Sequence, residues 1–207
     1  MNIKPRNAPE EARERILDAA EALFRRIGYT KTTVADIAGA LGMSSANVYR
    51  FFPSKSAIND GLCRRMLGEL DAYAESFVAA PGPAAERLEA MIVGVHLHNK
   101  RRFTHEATVH EMVAVGMQEN WQACQEHIAY MGELFGRLIA QGIETGEFAP
   151  CDVAAFAHTV GFACCGAFHP TMIAECKPDA TEDDVRRLAR LVIRGLKTAD
   201  AATGAPT

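Results

Sequence analysis

The chain has 207 residues, of which 48% are hydrophobic and 23% are charged, a composition typical of a globular protein of one or two domains. Its net charge of −4 excludes a uniformly basic nucleic-acid binder, but the charge is uneven. Residues 1–60 carry nine Lys and Arg against seven Asp and Glu, a net of +2, whereas the remainder carries thirteen against nineteen, a net of −6. We therefore expect any polyanionic partner to meet the first sixty residues.

Apolar residues at helical spacing predict helices along nearly the whole chain, and no alternating strand pattern is present. Pro9 suits the first turn of the first helix and Gly28 its end. Thr33 begins the second helix, with Asp36 three residues later as a capping partner, and Ser44 caps the third. The predicted helices span about residues 9–27, 33–41, 45–51, 54–80, 84–101, 103–118, 120–145, 152–170 and 182–198.

Nothing in the sequence predicts secretion or a membrane span. The segment MNIKPRNAPEEARER contains no apolar stretch of the secretory type. The six cysteines form no CxxC pair, which favours reduced thiols. The longest apolar run, 153–168, is rich in Ala, Gly and Cys and contains His158, so it predicts a buried helix. We expect a cytoplasmic protein without a membrane partner.

Two short helices follow each other closely in TTVADIAGALGMSSANVYRFFPSKSAI, residues 32–58, which is the helix-turn-helix arrangement. Val48 and Phe52 are expected to face inward. The outer face of the third helix then carries small and polar residues that can enter a DNA groove, where Asn can recognise adenine and Arg can recognise guanine. From spacing alone, a helical hairpin with a solvated polar face is the alternative. The residues expected to face outward are Ser45, Ala46, Asn47 and Arg50, with Tyr49, Ser54 and Lys55 near phosphates.

This stretch, with RILDAAEALFRRIGYTKTTV before it, resembles the DNA-binding domain of the tetracycline-repressor (TetR/AcrR) family of bacterial regulators. The resemblance covers Ile16 to about Leu62 and includes the Gly-Tyr-Thr that follows the first helix and the Phe-Pro-Ser-Lys after the third. It implies phosphate contacts from Thr33, Tyr49 and Lys55. The full set of predicted DNA-binding residues is Thr33, Ser44, Ser45, Ala46, Asn47, Tyr49, Arg50 and Lys55.

The resemblance also implies the architecture and the function of the whole chain. It predicts an all-α fold in which a three-helix DNA-binding domain, 1–56, is joined by a long helix to a ligand-binding and dimerisation domain, 57–200, with a flexible tail, 201–207. The expected protein is a homodimeric repressor that a small-molecule inducer releases from a near-palindromic double-stranded DNA operator. No enzymatic activity is expected.

Two predicted helices near the end of the chain suit a dimer interface. Small residues in 152–170 allow close helix approach, and the last helix has a wide apolar stripe. Two such helices from each subunit would form a four-helix interface. The alternative is that both belong to the internal core. The stripe of the last helix consists of Val185, Leu188, Leu191, Val192 and Leu196.

Histidines and aromatic residues in the second domain predict the ligand site. An apolar pocket with a few placed polar groups binds organic molecules of moderate size. His158, Cys165 and His169 also fall near one line of a helix. The predicted ligand-binding residues are His110, Trp121, His127, Met131, Phe162, Cys165 and His169.

Imidazole and thiolate groups leave two alternatives to an organic inducer. His110, His127 and His169 would form a site for zinc, nickel or copper if they converged on one point, and Cys164 or Cys165 would suit redox sensing. A different class of protein is a helical metal-dependent hydrolase that uses Glu106, His110 and His169. THEATVHEM, however, lacks the complete HExxH motif.

Overall fold

The computed structural model describes residues 8–103, 114–116, 118, 121–173 and 179–198. Within these ranges the regular secondary structure is helical, without a strand, which confirms the predicted all-α fold. Most of the helix predicted over 103–118 lies outside the described residues. The helices are α1 (Ala8–Ile27), α2 (Val34–Ala40), α3 (Ser45–Phe51), α4 (Lys55–Ala79), α5 (Ala84–Phe103), α6 (Trp121–Glu144), α7 (Val153–Phe168) and α8 (Glu182–Lys197).

Side-chain caps explain where the short helices begin. The Thr33 hydroxyl accepts from the Asp36 amide at 3.2 Å while the Asp36 carboxylate accepts from the Thr33 amide at 2.8 Å, so the predicted capping box is confirmed. Ser44 caps α3 through a single hydrogen bond, which its hydroxyl oxygen accepts from the Asn47 amide. Such caps stabilise a helix by about 1 kcal/mol, which matters for helices of seven residues that are marginal on their own.

The described residues form two compact units. The first contains the described residues within 1–66 and 106–123. Its core is built from the apolar faces of α1, α2 and α3, and the Tyr29 ring meets the Phe24 ring edge-on at 5.1 Å. The core residues with at most 2% exposure include Ile16, Ala20, Phe24, Ile37, Val48 and Phe52.

One arginine holds α4 against α1 within this unit. Arg65 donates to the carboxylates of Glu14 at 3.2 Å, Asp18 at 2.7 Å and Glu21 at 2.6 Å. Burial tends to raise the pKa of Glu21, but hydrogen bonds from Arg25 and Arg65 outweigh it and lower that pKa. The ionised carboxylate is therefore the form that the fold stabilises.

We expect Arg65→Met to reduce the free energy of unfolding at neutral pH by roughly 1–2 kcal/mol, because the network is partly exposed and screened. Glu21 has a folded pKa below its usual 4.5, so its contribution is present above pH 4.5 and is lost as pH falls through the lowered value. The loss of stability on acidification should be smaller in Arg65→Met than in the wild type. Urea unfolding from pH 7 to pH 3 measures both effects, with exposed Arg26→Met as the control. Equal pH dependence in the two proteins would contradict this.

The second unit contains the described residues within 67–105 and 124–207. Its core contains residues from the later part of α4 and from α5, α6, α7 and α8, and α5 packs along α8. Glu147 accepts from the amides of Ala84 at 2.8 Å and Ala85 at 3.0 Å, which places a carboxylate at the positive start of α5. At Gly142 an added Cβ would lie 2.2 Å from the Phe148 ring, so this close approach requires glycine.

The two units divide within α4, between Met66 and Leu67. This division rests on packing, so the functional boundary at residue 56 stays a prediction, and residues 201–207 lie outside the described part of the chain. No helix among the described residues is long and apolar enough to cross a membrane.

Candidate functional site

The outer face of α3 is the candidate DNA interface. Val48, fully buried, anchors the helix to the core of the first unit. On the other side, Tyr49 is 50% exposed and Ala46 and Arg50 are also exposed. The helix therefore presents polar side chains that the core does not use, which is what groove binding requires.

The remaining predicted groove residues sit at the start of α3. Ser44 is exposed, and Ser45 and Asn47 are half-buried. The Asn47 side-chain amide lies 3.7 Å from the Met43 sulfur, and thioether sulfur is a weak acceptor. Replacing this weak hydrogen bond of the Asn47 amide by one to a base edge would therefore cost little free energy. Thr33 at the start of α2 is also exposed, as a phosphate contact requires.

Lys55 has a different environment from the one that its predicted role requires. Its ammonium group donates to the carbonyls of Tyr29 at 2.9 Å, Thr32 at 3.0 Å and Thr30 at 3.4 Å. It also lies 4.3 Å from the centre of the Tyr29 ring. An ammonium has three donors, so a phosphate contact would require it to leave a carbonyl. In the structure, Lys55 therefore holds the segment that connects α1 to α2.

Arg13 is a further residue of this unit that sequence reasoning missed. Its guanidinium donates to the Phe51 carbonyl at 2.6 Å and lies 4.2 Å from the centre of the Phe52 ring. It therefore donates to a carbonyl at the end of α3. The last carbonyls of a helix have no amide donor within the helix. An arginine on the exposed side of α1 carries no local signal for this role.

The second unit separates the predicted ligand residues. Phe162 is 79% exposed, and Cys165 and His158 are exposed beside it on the outer face of α7. Phe162 and Cys165 are thus on the surface of the single chain, and their contact with a ligand stays a prediction. Met131, in contrast, is buried in the core. Helical phase indicated that these residues belong to apolar faces, but not which face the core covers.

Two of the three predicted metal ligands, His127 and His169, lie among the described residues. His127 Nδ1 lies 2.6 Å from the Asp71 carboxylate. α7 ends at Phe168 rather than at residue 170 as predicted, and His169 is its C-cap residue. Burial lowers the pKa of His169. His110 and the side chain of Trp121 lie outside the described residues. Among the residues that are described, no group of three His, Cys, Asp or Glu side chains could hold a metal ion.

Two buried polar residues of α5 also escaped the sequence analysis. His96 is 1% exposed and Asn99 is 4% exposed, and both contact carbonyls at the end of α7. The sequence VHLHNK already indicates that these two polar residues lie on the buried face of α5. His96 and Asn99 continue the apolar stripe of Leu88 and Ile92 at spacings of three and four, where polar residues need an explanation.

Comparison with known proteins assigns both units. Residues 16–60 match the family profile described as bacterial regulatory proteins, tetR family. Residues 84–189, just over half of the chain, match the tetracyclin repressor-like C-terminal domain. This chain belongs to the tetR family. It is a ligand-responsive, DNA-binding transcription regulator and not an enzyme, which excludes the hydrolase alternative.

Individual relatives agree with this assignment. The HTH-type transcriptional repressor KstR2 of Mycobacterium tuberculosis is 26% identical over 142 residues, which cover 67% of this chain and 70% of that protein. A transcriptional regulator of Pseudomonas aeruginosa has a TM-score of 0.71 at 16% identity, with 94% of each chain covered. FadR of Thermus thermophilus, solved with lauroyl-CoA, has a TM-score of 0.61 at 19% identity, covering 94% of this chain and 99% of FadR. The two structural likenesses show the fold alone.

Proposed function

We propose that this tetR-family protein is a cytoplasmic, homodimeric repressor that a small organic molecule releases from a near-palindromic operator. The capped and exposed polar face of α3 carries the proposal. The relative KstR2, which is named a repressor, supports repression rather than activation. A ligand that favours the conformation with weaker operator affinity must itself bind more weakly to the DNA-bound protein, because the coupling free energy is reciprocal.

Operator binding tests the assignment of α3. Asn47→Ala or Arg50→Ala should relax preference at particular base pairs, at about 1–3 kcal/mol each, because each removes a bidentate partner of a base. Tyr49→Ala should weaken binding to all sequences, because it removes a phosphate contact. It should leave the salt slope nearly unchanged, because a neutral hydroxyl group displaces no counterion. Shift assays with operator and scrambled DNA at several salt concentrations measure these effects.

The control for these variants is Arg15→Ala, which removes a charge from an exposed position of α1. It should bind operator DNA with nearly the wild-type affinity and specificity. If the three α3 variants also retain wild-type affinity, specificity and salt slope, α3 is not the recognition helix.

The outer faces of α7 and α8 support the proposed homodimer. Phe162 is 79% exposed and Leu191 is 67% exposed, and the small residues Ala155 and Ala163 are exposed on the same helix as Phe162. An exposed apolar face of this kind suits a second copy of the chain. Other residues of α8 do belong to the internal core, as the alternative predicted. These are Val185, Ala189, Ile193 and Leu196.

A metal-responsive repressor remains a second candidate because of one observation. Metal-binding histidines usually donate their second ring nitrogen to a carboxylate, and His127 has such a contact with Asp71 at 2.6 Å. If zinc, nickel or copper binds, elemental analysis should find it in stoichiometric amounts, and His127→Ala and His110→Ala should each remove it. His158→Ala, at an exposed position, serves as the control. If the protein is metal-free and none of the three ions changes its DNA binding, the metal-responsive role is wrong and an organic inducer is the remaining candidate.

A further inference from the structure

Two buried side chains of α5 close the last turn of α7. His96 Nδ1 lies 2.8 Å from the Ala167 carbonyl oxygen, and the Asn99 amide donates to the Phe168 carbonyl at 2.9 Å. The last carbonyls of a helix have no partner within the helix, so these contacts satisfy them. Both side chains are shielded from water, at 1% and 4% exposure.

The contact with Ala167 determines the tautomer of His96. A carbonyl oxygen only accepts hydrogen bonds, so Nδ1 carries the proton and Nε2 of the neutral ring is an acceptor. Nε2 is buried and has no hydrogen-bond partner among the described residues. Capping alone does not explain this arrangement. An asparagine is sufficient to cap the neighbouring carbonyl, as Asn99 does, and it has no ring nitrogen that would be buried without a partner.

His169 adds a second buried nitrogen at the same end of α7. It is two residues from Ala167, and its Nδ1 is also buried without a partner in the described part of the chain. Apart from Asn99, which already donates to Phe168, apolar rings lie at this end of α7. The Phe168 ring stacks on Phe135 with 6.3 Å between ring centres, and both rings belong to the core of the second unit or pack against it. Organic-molecule sites combine apolar side chains with a few placed polar groups, and the buried imidazole nitrogens beside these rings are groups of that kind.

We propose that His96 Nε2 accepts a hydrogen bond from a hydroxyl group of the inducer, with His169 Nδ1 as a neighbouring polar contact. The inducer then offers a hydrogen-bond donor, here the hydroxyl group of a largely apolar alcohol or phenol, whereas a carboxylate has no proton to donate. This assignment rests on the proposed function, because it names the ligand class of the same regulator. A site built around a buried acceptor rejects compounds that lack the matching donor, since they leave the acceptor unpaired.

Two substitutions separate the two nitrogens of His96. His96→Asn keeps a donor at the position of Nδ1, facing Ala167, and removes the group at Nε2. His96→Gln places an amide near Nε2 and removes the donor toward Ala167. His96→Asn should therefore fold normally and lose hydroxyl recognition, whereas His96→Gln should lose thermal stability and retain part of that recognition.

The experiment uses the full chain labelled with 15N in its histidine rings, at pH 7. The probes are 1-dodecanol and 2-naphthol, each compared with its methyl ether and with the corresponding carboxylate, dodecanoate or 2-naphthoate. NMR reports the tautomer of His96 and any shift of Nε2 on binding, and a shift assay reports release of operator DNA. Comparison with His96→Asn assigns the ring signals.

We expect the Nδ1–H tautomer, a shift of the Nε2 signal by at least one hydroxyl probe, and binding of its methyl ether about tenfold weaker. In His96→Asn the alcohol and the ether should bind alike. The opposite tautomer, a protonated ring, equal binding of alcohol and ether to the wild type, preference for the carboxylates, or no probe that shifts Nε2 would each overturn the proposal.

Failure of this inference is distinguishable from failure of the proposed function. If a probe releases operator DNA equally from the wild type and from His96→Asn, the regulator is ligand-responsive and the His96 site is wrong. If the untreated wild type does not bind operator DNA, the proposed function itself is wrong, and this is measured without any probe.

Discussion

Leu191→Glu should convert the proposed dimer into monomers and reduce operator affinity by about 100-fold or more, because the second half-site is then no longer bound by a linked partner. Leu191 is 67% exposed in the single chain, so a glutamate there is solvated in the monomer and should not impair folding. In a dimer the same carboxylate would be buried in an apolar interface without a partner, which is strongly unfavourable.

Sedimentation velocity and shift assays measure this effect, and circular dichroism checks that the variant is folded. Lys197→Glu is the matched control, since it introduces the same negative side chain at an exposed polar position of α8. Phe162→Glu on α7 should reproduce the phenotype of Leu191→Glu. A wild-type protein that sediments as a monomer at micromolar concentration, or a Leu191→Glu protein that remains a dimer, would rule out this interface.

Lys55→Met should destabilise the first unit by about 2–4 kcal/mol, because charge-assisted hydrogen bonds and a cation–π contact are lost together. Three carbonyls between α1 and α2 accept from the Lys55 ammonium group, and methionine offers them no donor. The positions of α2 and α3 depend on this segment, so operator binding should fall for all sequences as the folded fraction falls.

The same variant decides between the two roles of Lys55. A residue that only contacts phosphate would leave the stability unchanged and lower the slope of log affinity against log salt by about 1. A residue that joins α1 to α2 lowers the midpoint of thermal and urea unfolding and leaves the slope of the remaining binding nearly unchanged. Exposed Lys31→Met is the control, and its unfolding midpoint should match that of the wild type.

The local structure of the DNA-binding region could be predicted because short-range interactions determine it. Thr33 and Asp36 form their capping box within a single turn, and Ser44 caps α3 through the Asn47 amide. Val48 and Phe52 are buried as their spacing predicts. In each case, the partners are within four residues or repeat with the period of the helix, so the pattern is visible in the sequence.

Contacts between distant parts of the chain could not be predicted in this way. Lys55 meets carbonyls about 25 residues earlier, and His96 meets a carbonyl 71 residues later. Neither contact follows from residue type. The resemblance implied a phosphate contact for Lys55, whereas here three backbone carbonyls accept from its ammonium group.

The sequence by itself determined that this protein is helical, where its short helices begin, and to which family it belongs, because caps, periodicity and motif spacing are local. Tertiary structure alone decided which apolar faces are buried and which polar groups meet. Leu191 and Leu196 look alike in the sequence, but the core covers Leu196 at 1% exposure and leaves Leu191 at 67%. Periodicity identifies an apolar face, and only the packing of neighbouring helices determines what covers it.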